Sequence, residues 1–258
     1  MDRGVGSPGK FRWRGTEVSR IEALSDAVFG FAITLLVVSL EVPRTFAELQ
    51  EVMRGFVPFA ASFAMLVLLW YQQYVFFRRY GLQDTATIVL NAVLLFVVVF
   101  YVYPLKFLWG TLINQLLGRG VGVRLATGEV VPAVTESQWP ALMKIFGLGY
   151  AAVFLVFALL YLRAWARRRD LGLTRLEVFD TWTEFQSNLI NVLIGALSVS
   201  VVSAVISARS AALSGWVYCL VGPALTAHGF MRGARRKRLL GRTPADGDPA
   251  DAPSAAGG

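Results

Sequence analysis

Three ionisable side chains stand at the start of the first long apolar segment: Arg20, Glu22 and Asp26. Charge within a membrane-spanning segment is expensive and commonly marks a functional site. Arg20 lies within two helical turns of Asp26, and a bidentate arginine–carboxylate pair within or between helices could offset the desolvation. The alternative is that these groups lie at the membrane surface, where water solvates them. Either arrangement puts a polar cluster at the start of an apolar helix.

The other residue types that carry chemistry are sparse. The chain has one histidine, His228, and one cysteine, Cys219, so the sequence contains no cluster with the spacing of zinc ligands. Cys219 lies in an apolar segment, which predicts a buried structural thiol. The apolar segments also lack a Ser/His, paired-Asp or zinc constellation, which argues against an intramembrane enzyme. We therefore predict a protein that is not an enzyme and has no cofactor.

The composition identifies the elements that position these residues. The chain of 258 residues is 55% hydrophobic and 16% charged, whereas roughly a quarter of the residues in soluble proteins are charged. The apolar residues form blocks of about 20, enough to cross about 30 Å of hydrocarbon as helices. The sequence therefore predicts an all-α integral membrane protein with six transmembrane helices. The predicted spans are 22–41, 55–77, 85–108, 142–162, 187–208 and 212–231.

The distribution of charge predicts the topology. A net charge of +8 would raise the question of nucleic acid in a soluble protein. Here Lys and Arg gather at the ends of apolar blocks, which predicts topology-setting charges and no nucleic-acid partner. They are densest before the first span, in the second and fourth connections, and after the last span. Both termini are therefore predicted to be cytoplasmic, in agreement with an even number of spans.

Three regions follow from this topology. The sequence predicts a cytoplasmic N-terminal segment over 1–19 and a six-helix domain over 20–232. A basic and then disordered cytoplasmic tail is predicted over 233–258, because its end is rich in Pro, Gly, Ala and Asp and offers little apolar surface to bury.

The first predicted helix carries one nearly apolar face. Phe31, Thr34, Leu35 and Val38 stand at positions i, i+3, i+4 and i+7, so they share one face over about two turns. One hydroxyl interrupts an otherwise apolar surface. This spacing fits an ordinary helix that packs against its neighbours, and it fits a pore lining as well.

The sequence over 20–26, Arg-Ile-Glu-Ala-Leu-Ser-Asp, resembles the R-x-x-x-F-S-D signature of the transmembrane protein 175 family. These proteins are potassium channels of endosomes and lysosomes, with bacterial relatives. Leu24 replaces the usual Phe. The resemblance continues through 70–79 and 84–105, and so covers roughly the first 110 residues.

The resemblance implies a potassium-permeable, non-P-loop cation channel subunit with one six-helix repeat. Four copies would form a homotetramer around a central pore lined by the first helix. The family's constriction consists of stacked apolar side chains at positions that match Phe31, Thr34, Leu35 and Val38. Relatives usually carry Ile where this chain has Phe31. The larger side chain predicts a tighter ring, an aromatic contact with the ion, or a rotated helix that packs Phe31 behind the pore.

The resemblance also implies a polar network near the cytoplasmic side that holds the first helix in register. In the family this network consists of the motif Arg, a Trp and a His, but here Gln72 and Gln73 stand in the places where a His is expected. Gln can donate and accept hydrogen bonds but cannot take up a proton near neutral pH. The residues expected in the motif and network are Arg20, Leu24, Ser25, Asp26, Trp70 and Gln73. We further expect Glu22 and Asp26 to make the cytoplasmic mouth attractive to cations.

A secondary transporter or proton-conducting protein is the alternative function. It would need an ionisable residue at mid-membrane or a broken helix pair, whereas Asp84 and Lys106 lie toward the ends of their predicted span. The expected partners are copies of the same chain, the lipid bilayer and potassium ions. The expected location is the bacterial plasma membrane, as a multi-pass protein.

Overall fold

A computed structural model describes residues 11–15, 17–38, 42–116, 122–124, 130–204 and 208–240. Six helical segments in these ranges are long and apolar enough to cross a membrane, which confirms the predicted all-helical fold with six spans. The segment 1–10 and the tail predicted to be disordered, 241–258, lie outside the described residues.

The helices are α1 (Arg20–Val38), α2 (Phe46–Arg54), α3 (Phe56–Tyr80), α4 (Thr85–Leu116), α5 (Trp139–Ala166), α6 (Arg175–Ala204), α7 (Ala208–Val217) and α8 (Val221–Leu240). The sixth span consists of α7, a 3-10 turn and α8. Two short strands, β1 (Gly122–Arg124) and β2 (Val130–Pro132), pair antiparallel between α4 and α5. The short helix α2 and this ribbon were not expected from the sequence, and Cys219 is exposed rather than buried.

The helices α6 and α8 extend well beyond the spans that hydropathy predicts. α6 begins at Arg175, twelve residues before the predicted span, and α8 runs to Leu240 across the predicted domain boundary at 232. Polar contacts between the two helices explain both extensions. The Arg236 guanidinium donates to both carboxylate oxygens of Asp180 at 2.9–3.1 Å, and Arg232 Nε donates to Thr183 Oγ1 at 2.9 Å.

Capping boxes define where α1 and α6 begin. The Ser19 N–H donates to Glu22 Oε2 at 2.8 Å, and the Glu22 N–H donates to Ser19 Oγ at 3.2 Å. Thr174 and Glu177 repeat this arrangement at 3.0 and 3.2 Å. Such reciprocal bonds satisfy donors that a helix start leaves unpaired. A Ser/Thr-x-x-Glu pattern in the sequence therefore fixes both helix starts.

The main core joins α1, α3, α4 and α5. Its deeply buried side chains include Phe29, Ala32, Leu36, Phe76, Phe77, Leu94, Val98, Phe157, Leu160 and Tyr161. α1 packs on α3 and α4, α5 packs on α4 and α6, and α8 packs on α6. A smaller cluster of Leu108, Met143, Val202 and Ala211 lies toward the other end of the bundle. α1 thus contributes one face to the core, and α3 and α4 set its position.

Gly149 lets α5 approach the Tyr101 ring of α4. The Tyr101 hydroxyl donates to the carbonyls of Ile145 and Phe146 at 3.0 and 2.5 Å, so the ring cannot move aside freely. A Cβ at position 149 would overlap that ring. We predict that Gly149→Ala lowers the melting temperature of the detergent-solubilised protein by several degrees, because overpacking costs about 1–3 kcal/mol.

The control for this prediction is Gly229→Ala in α8. Nothing lies within 4 Å of a Cβ at position 229, and alanine is a better helix former than glycine by about 1 kcal/mol. The melting temperature of this variant should hold or rise. An equal fall in melting temperature in both variants would show that the close approach of Tyr101 to Gly149 is not the cause of the lost stability.

Asp84 joins the start of α4 to the end of α5. The Arg163 guanidinium donates to Asp84 Oδ2 at 2.6 and 3.1 Å, and Thr87 Oγ1 donates to Asp84 Oδ1 at 2.7 Å. Burial alone would raise the pKa of Asp84, but these hydrogen bonds outweigh it and hold the pKa below its ordinary value.

A carboxylate with a lowered pKa stabilises the folded state above its unfolded-state pKa, and this contribution is lost as the pH falls through the folded-state value. We therefore expect the melting temperature of wild type to fall on acidification below about pH 4. Asp84→Asn should show a smaller fall over the same range, and Asp170→Asn, in an exposed pair with Arg167, is the control. Parallel acid profiles for wild type and Asp84→Asn would contradict the prediction.

Candidate functional site

The first helix has two faces of different character. Its buried residues are Glu22, Ser25, Phe29, Ala32 and Leu36. Phe31 and Val38 are 56% and 71% exposed, Thr34 is exposed and Leu35 is half-buried. At about 100° per residue, Thr34 lies opposite the centre of the buried stripe and Leu35 lies at its edge. The predicted constriction face is therefore turned away from the subunit's own core, with Leu35 partly packed against it.

The exposed face carries one polar side chain among these four positions. The Thr34 hydroxyl donates to the Gly30 carbonyl at 2.9 Å. Since its proton is engaged within the helix, the hydroxyl oxygen presents acceptor lone pairs to whatever fills the space beside it. Gly30 lies on the same side of α1, where a Cβ would meet nothing within 4 Å. This side of the helix can therefore offer oxygen to a cation or to water.

A buried chain of hydrogen bonds joins α1, α4 and α3. Ser25 Oγ donates to the Ile21 carbonyl at 2.8 Å, and Asn91 Nδ2 donates to Ser25 Oγ at 2.9 Å. Gln73 Nε2 in turn donates to Asn91 Oδ1 at 3.0 Å. Ser25, Asn91 and Gln73 are each at most 1% exposed. Because buried amides are costly to leave unpaired, this chain fixes the rotation of α1 about its own axis.

A second contact joins α1 to α3 at the surface. Trp70 Nε1 donates to Asp26 Oδ1 at 2.7 Å, and the Trp70 ring stacks on Tyr74 with centroids 5.8 Å apart. The structure thus brings together four of the six residues expected in the network, Ser25, Asp26, Trp70 and Gln73, through two separate contacts. It does not bring Leu24 into them, since that side chain is exposed.

The buried acid at the start of α1, Glu22, has Arg78 as its basic neighbour, whereas the sequence offered Arg20 as the arginine of a carboxylate pair. Glu22 is 8% exposed and lies with Oε1 3.8 Å from Arg78 Nε. Arg20 is exposed, and among the described residues it has no hydrogen bond or ion pair. Of the two carboxylates predicted at the cytoplasmic mouth, Glu22 forms the capping-box hydrogen bonds and lies beside Arg78. Asp26 is the one that reaches the surface.

Sequence reasoning missed Asn91 and Arg78. Asn91 is a lone amide in a span that is otherwise apolar for several turns, and that isolation was the available signal. Arg78 was counted only as a topology charge, because its proximity to Glu22 arises from the packing of α3 on α1.

We predict that Asn91→Leu destabilises the protein by about 1–3 kcal/mol, because it removes the acceptor of the buried Gln73 amide and a donor to Ser25. The measurement is thermal unfolding in detergent. The matched control is Asn114→Leu at the other end of the same helix, where the structure gives the amide no hydrogen bond within the described residues. Equal melting temperatures for the two variants would mean that the buried chain does not hold α1.

Metal-ligating groups do not cluster in the described part of the chain. No group of three or more His, Cys, Asp or Glu side chains there could hold a metal ion.

Comparison with known proteins gives a consistent set of relatives. The sequence model of the family described as "Endosomal/lysosomal potassium channel TMEM175" matches residues 20–101, which contain both polar contacts of α1. A potassium channel of Marivirga tractuosa is 40% identical over 238 residues, 92% of this chain and 96% of the relative. A potassium channel of Chamaesiphon minutus is 28% identical over 177 residues, 58% of this chain and 87% of the relative.

One solved structure resembles the whole bundle. A crystal structure of a variant of the potassium channel MtTMEM175, in complex with a nanobody–MBP fusion protein, matches with a TM-score of 0.75 and 39% sequence identity. The match covers 89% of this chain and 100% of that one. The similarity therefore includes the C-terminal half, beyond the residues that match the family model.

Proposed function

Because this chain belongs to the TMEM175 family, we propose that it is the subunit of a potassium-permeable channel. The observation that carries the proposal is the exposed face of α1, where Phe31, Thr34 and Val38 point away from the core that the rest of the helix helps to build. Four such faces around an axis would enclose a pore.

The composition of this face favours an aqueous path over lipid. At about 100° per residue, Arg20 lies within about 20° of Phe31 around the helix. This face begins with the Arg20 guanidinium, which pairs with no described residue, and continues through Ala27, Gly30 and the Thr34 oxygen. Such a face is poorly suited to hydrocarbon. The same face suits a cytoplasmic vestibule that narrows into an apolar neck.

The neck would consist of stacked rings in a homotetramer. Phe31, Thr34 with Leu35, and Val38 would form three rings spaced about 5 Å apart along the axis. Such a constriction has neither a carbonyl cage nor a charged ring, so conduction depends on wetting of the apolar neck. In this arrangement both termini face the cytoplasm and the protein resides in the bacterial plasma membrane.

Potassium flux into liposomes tests the proposal. The full-length protein, reconstituted in phosphatidylethanolamine–phosphatidylglycerol vesicles, should pass potassium down an imposed gradient without a second ion, and protein-free vesicles should not. The mass of the purified protein in detergent, corrected for bound detergent, should equal four chains. Flux that saturates and requires a sodium or proton gradient would support a secondary transporter instead. A monomeric mass would exclude a pore formed by four α1 helices.

A further inference from the structure

The segment before α1 is tied to the start of α6 and the turn before it through Arg14. We call the described residues 11–15 and 17–19 the N-terminal strap. The Arg14 guanidinium donates to Glu177 Oε2 and Oε1 at 2.7 and 3.1 Å, and it also donates to the carbonyls of Leu171 and Gly172 at 2.9 and 3.2 Å. Glu177 accepts a further bond from the Arg12 N–H at 2.9 Å. The strap is therefore anchored on the start of α6.

This anchor is buried and specific. The side chains of Arg14 and Glu177 are 12% and 5% exposed, and the pair is bidentate, which imposes one geometry on both partners. Removing one member of a buried pair leaves the other charge desolvated and unpaired. An exposed surface ion pair imposes no comparable constraint.

A second anchor holds the strap on the end of α3. The N–H groups of Arg14 and Gly15 both donate to the Arg78 carbonyl at 3.0 and 3.1 Å, and Arg78 Nη1 donates back to the Gly15 carbonyl at 3.0 Å. The backbones approach so closely that a Cβ on Gly15 would stand 2.8 Å from the Phe77 carbonyl oxygen. The adjacent turn depends on Gly81, whose φ of 59° few other residues adopt.

The strap continues directly into α1. Its last residue, Ser19, forms the capping box with Glu22, and Arg78 lies beside that carboxylate at 3.8 Å. The start of α1 is therefore held by α3 through Arg78 and by α6 through Arg14. The Arg78 contact lies on the buried face of α1, to which Glu22 belongs, and not on its exposed face.

We propose that Arg14 and Glu177 are positioning residues for the pore, a proposal that rests on the proposed channel function. Through the strap they hold the cytoplasmic end of α1 back against its own subunit and so keep the apolar neck from narrowing. When the pair is broken, α1 is free to lean toward the symmetry axis. The fraction of time the channel is open then falls, while the open pore keeps its conductance and ion preference.

Charge-exchange variants, measured by single-channel recording in planar bilayers, test this role. Arg14→Glu and Glu177→Arg should each lower the open probability at least about fivefold, the lower end of typical coupling between sites. The unitary conductance and the potassium-to-sodium permeability ratio should remain at the wild-type values. The double exchange, Arg14→Glu with Glu177→Arg, restores an ion pair between the two positions but neither the Thr174 capping box nor the bonds to the Leu171 and Gly172 carbonyls. It should therefore recover only part of the open probability.

The milder variants Arg14→Lys and Glu177→Gln cover the case in which a charge exchange prevents assembly, and each should lower the open probability in the same direction. The control is Arg167→Glu, which breaks the exposed pair between Arg167 and Asp170 in the α5–α6 connection and should leave gating unchanged. Wild-type open probability in folded single variants of the Arg14–Glu177 pair would overturn the inference. A wild-type protein that does not conduct would instead overturn the proposed function.

Discussion

Phe31→Asn should raise potassium flux through the reconstituted channel at least about tenfold. The proposed neck conducts only when water fills it, and Phe31 contributes its bulkiest apolar side chain. Replacing four phenyl groups with four amides widens the ring at that position and supplies hydrogen-bonding groups to water and to the ion. A tenfold change corresponds to about 1.4 kcal/mol of barrier, less than half a kcal/mol for each of the four amides.

Val38→Asn should act in the same direction at the outer ring, where the side chain is the more exposed of the two. Both variants should assemble as well as wild type, because neither side chain belongs to the subunit's core. The flux assay in liposomes, with potassium and sodium in turn, measures the effect. Phe31→Ile, which restores the residue usual in the family, should give an intermediate flux.

The matched control is Phe96→Asn on α4. Phe96 is 71% exposed, so the same substitution at a different exposed phenylalanine tests whether any polar group on the bundle surface alters flux. We expect it to leave flux unchanged. Equal flux in wild type, Phe31→Asn and Val38→Asn would remove this face of α1 from the ion path. An equal gain in Phe96→Asn would trace the effect to a general leak.

The sequence predicted the parts of the fold that depend on hydropathy and on short patterns. Blocks of apolar residues gave six spans, and the same periodicity separated Phe31, Thr34 and Val38 from the residues that α1 buries. Hydropathy did not predict the full length of α6 and α8. Their extensions are polar, and Asp180, Thr183, Arg232 and Arg236 support one another only after the two helices have packed.

The polar contacts of α1 were predictable in type but not in pairing. The resemblance grouped Trp70 and Gln73 with the motif arginine, Arg20. In the structure Trp70 donates to Asp26 at 2.7 Å instead. Gln73 was expected near the motif arginine, yet its amide bonds Asn91, because the register of α3 against α4 decides which side chains meet. The hydrogen-bonded residues Arg14 and Glu177 lie 163 positions apart in the sequence, and no local sequence pattern contains such a pair.

Leucine at two alanine positions of α1 should give opposite outcomes. Ala32 is fully buried in the core, whereas Ala27 is exposed and lies one turn before Phe31 on the proposed pore face. The two substitutions add the same atoms to the same helix only five residues apart. Their effects therefore differ only through the face on which the added atoms lie.

Ala32→Leu should lower stability by about 1–3 kcal/mol, because α3 and α4 leave no room for the added carbons. For a chain of this size, each kcal/mol shifts the melting temperature by about 2–4 °C. The measurement is thermal unfolding of the purified protein in detergent. An unchanged melting temperature would mean that α1 does not pack against its neighbours as the structure shows.

Ala27→Leu should leave stability within about 0.5 kcal/mol of wild type and lower potassium flux at least about fivefold. Four isobutyl groups would extend the apolar neck by one turn toward the cytoplasm, and a fivefold loss requires only about 1 kcal/mol of added barrier. Melting temperature and flux should be measured on the same preparations, so that a loss of folded protein is not counted as a loss of conduction. If Ala27→Leu destabilised the protein and left the flux per folded channel unchanged, position 27 would lie in a packed contact between helices and the pore axis would lie elsewhere.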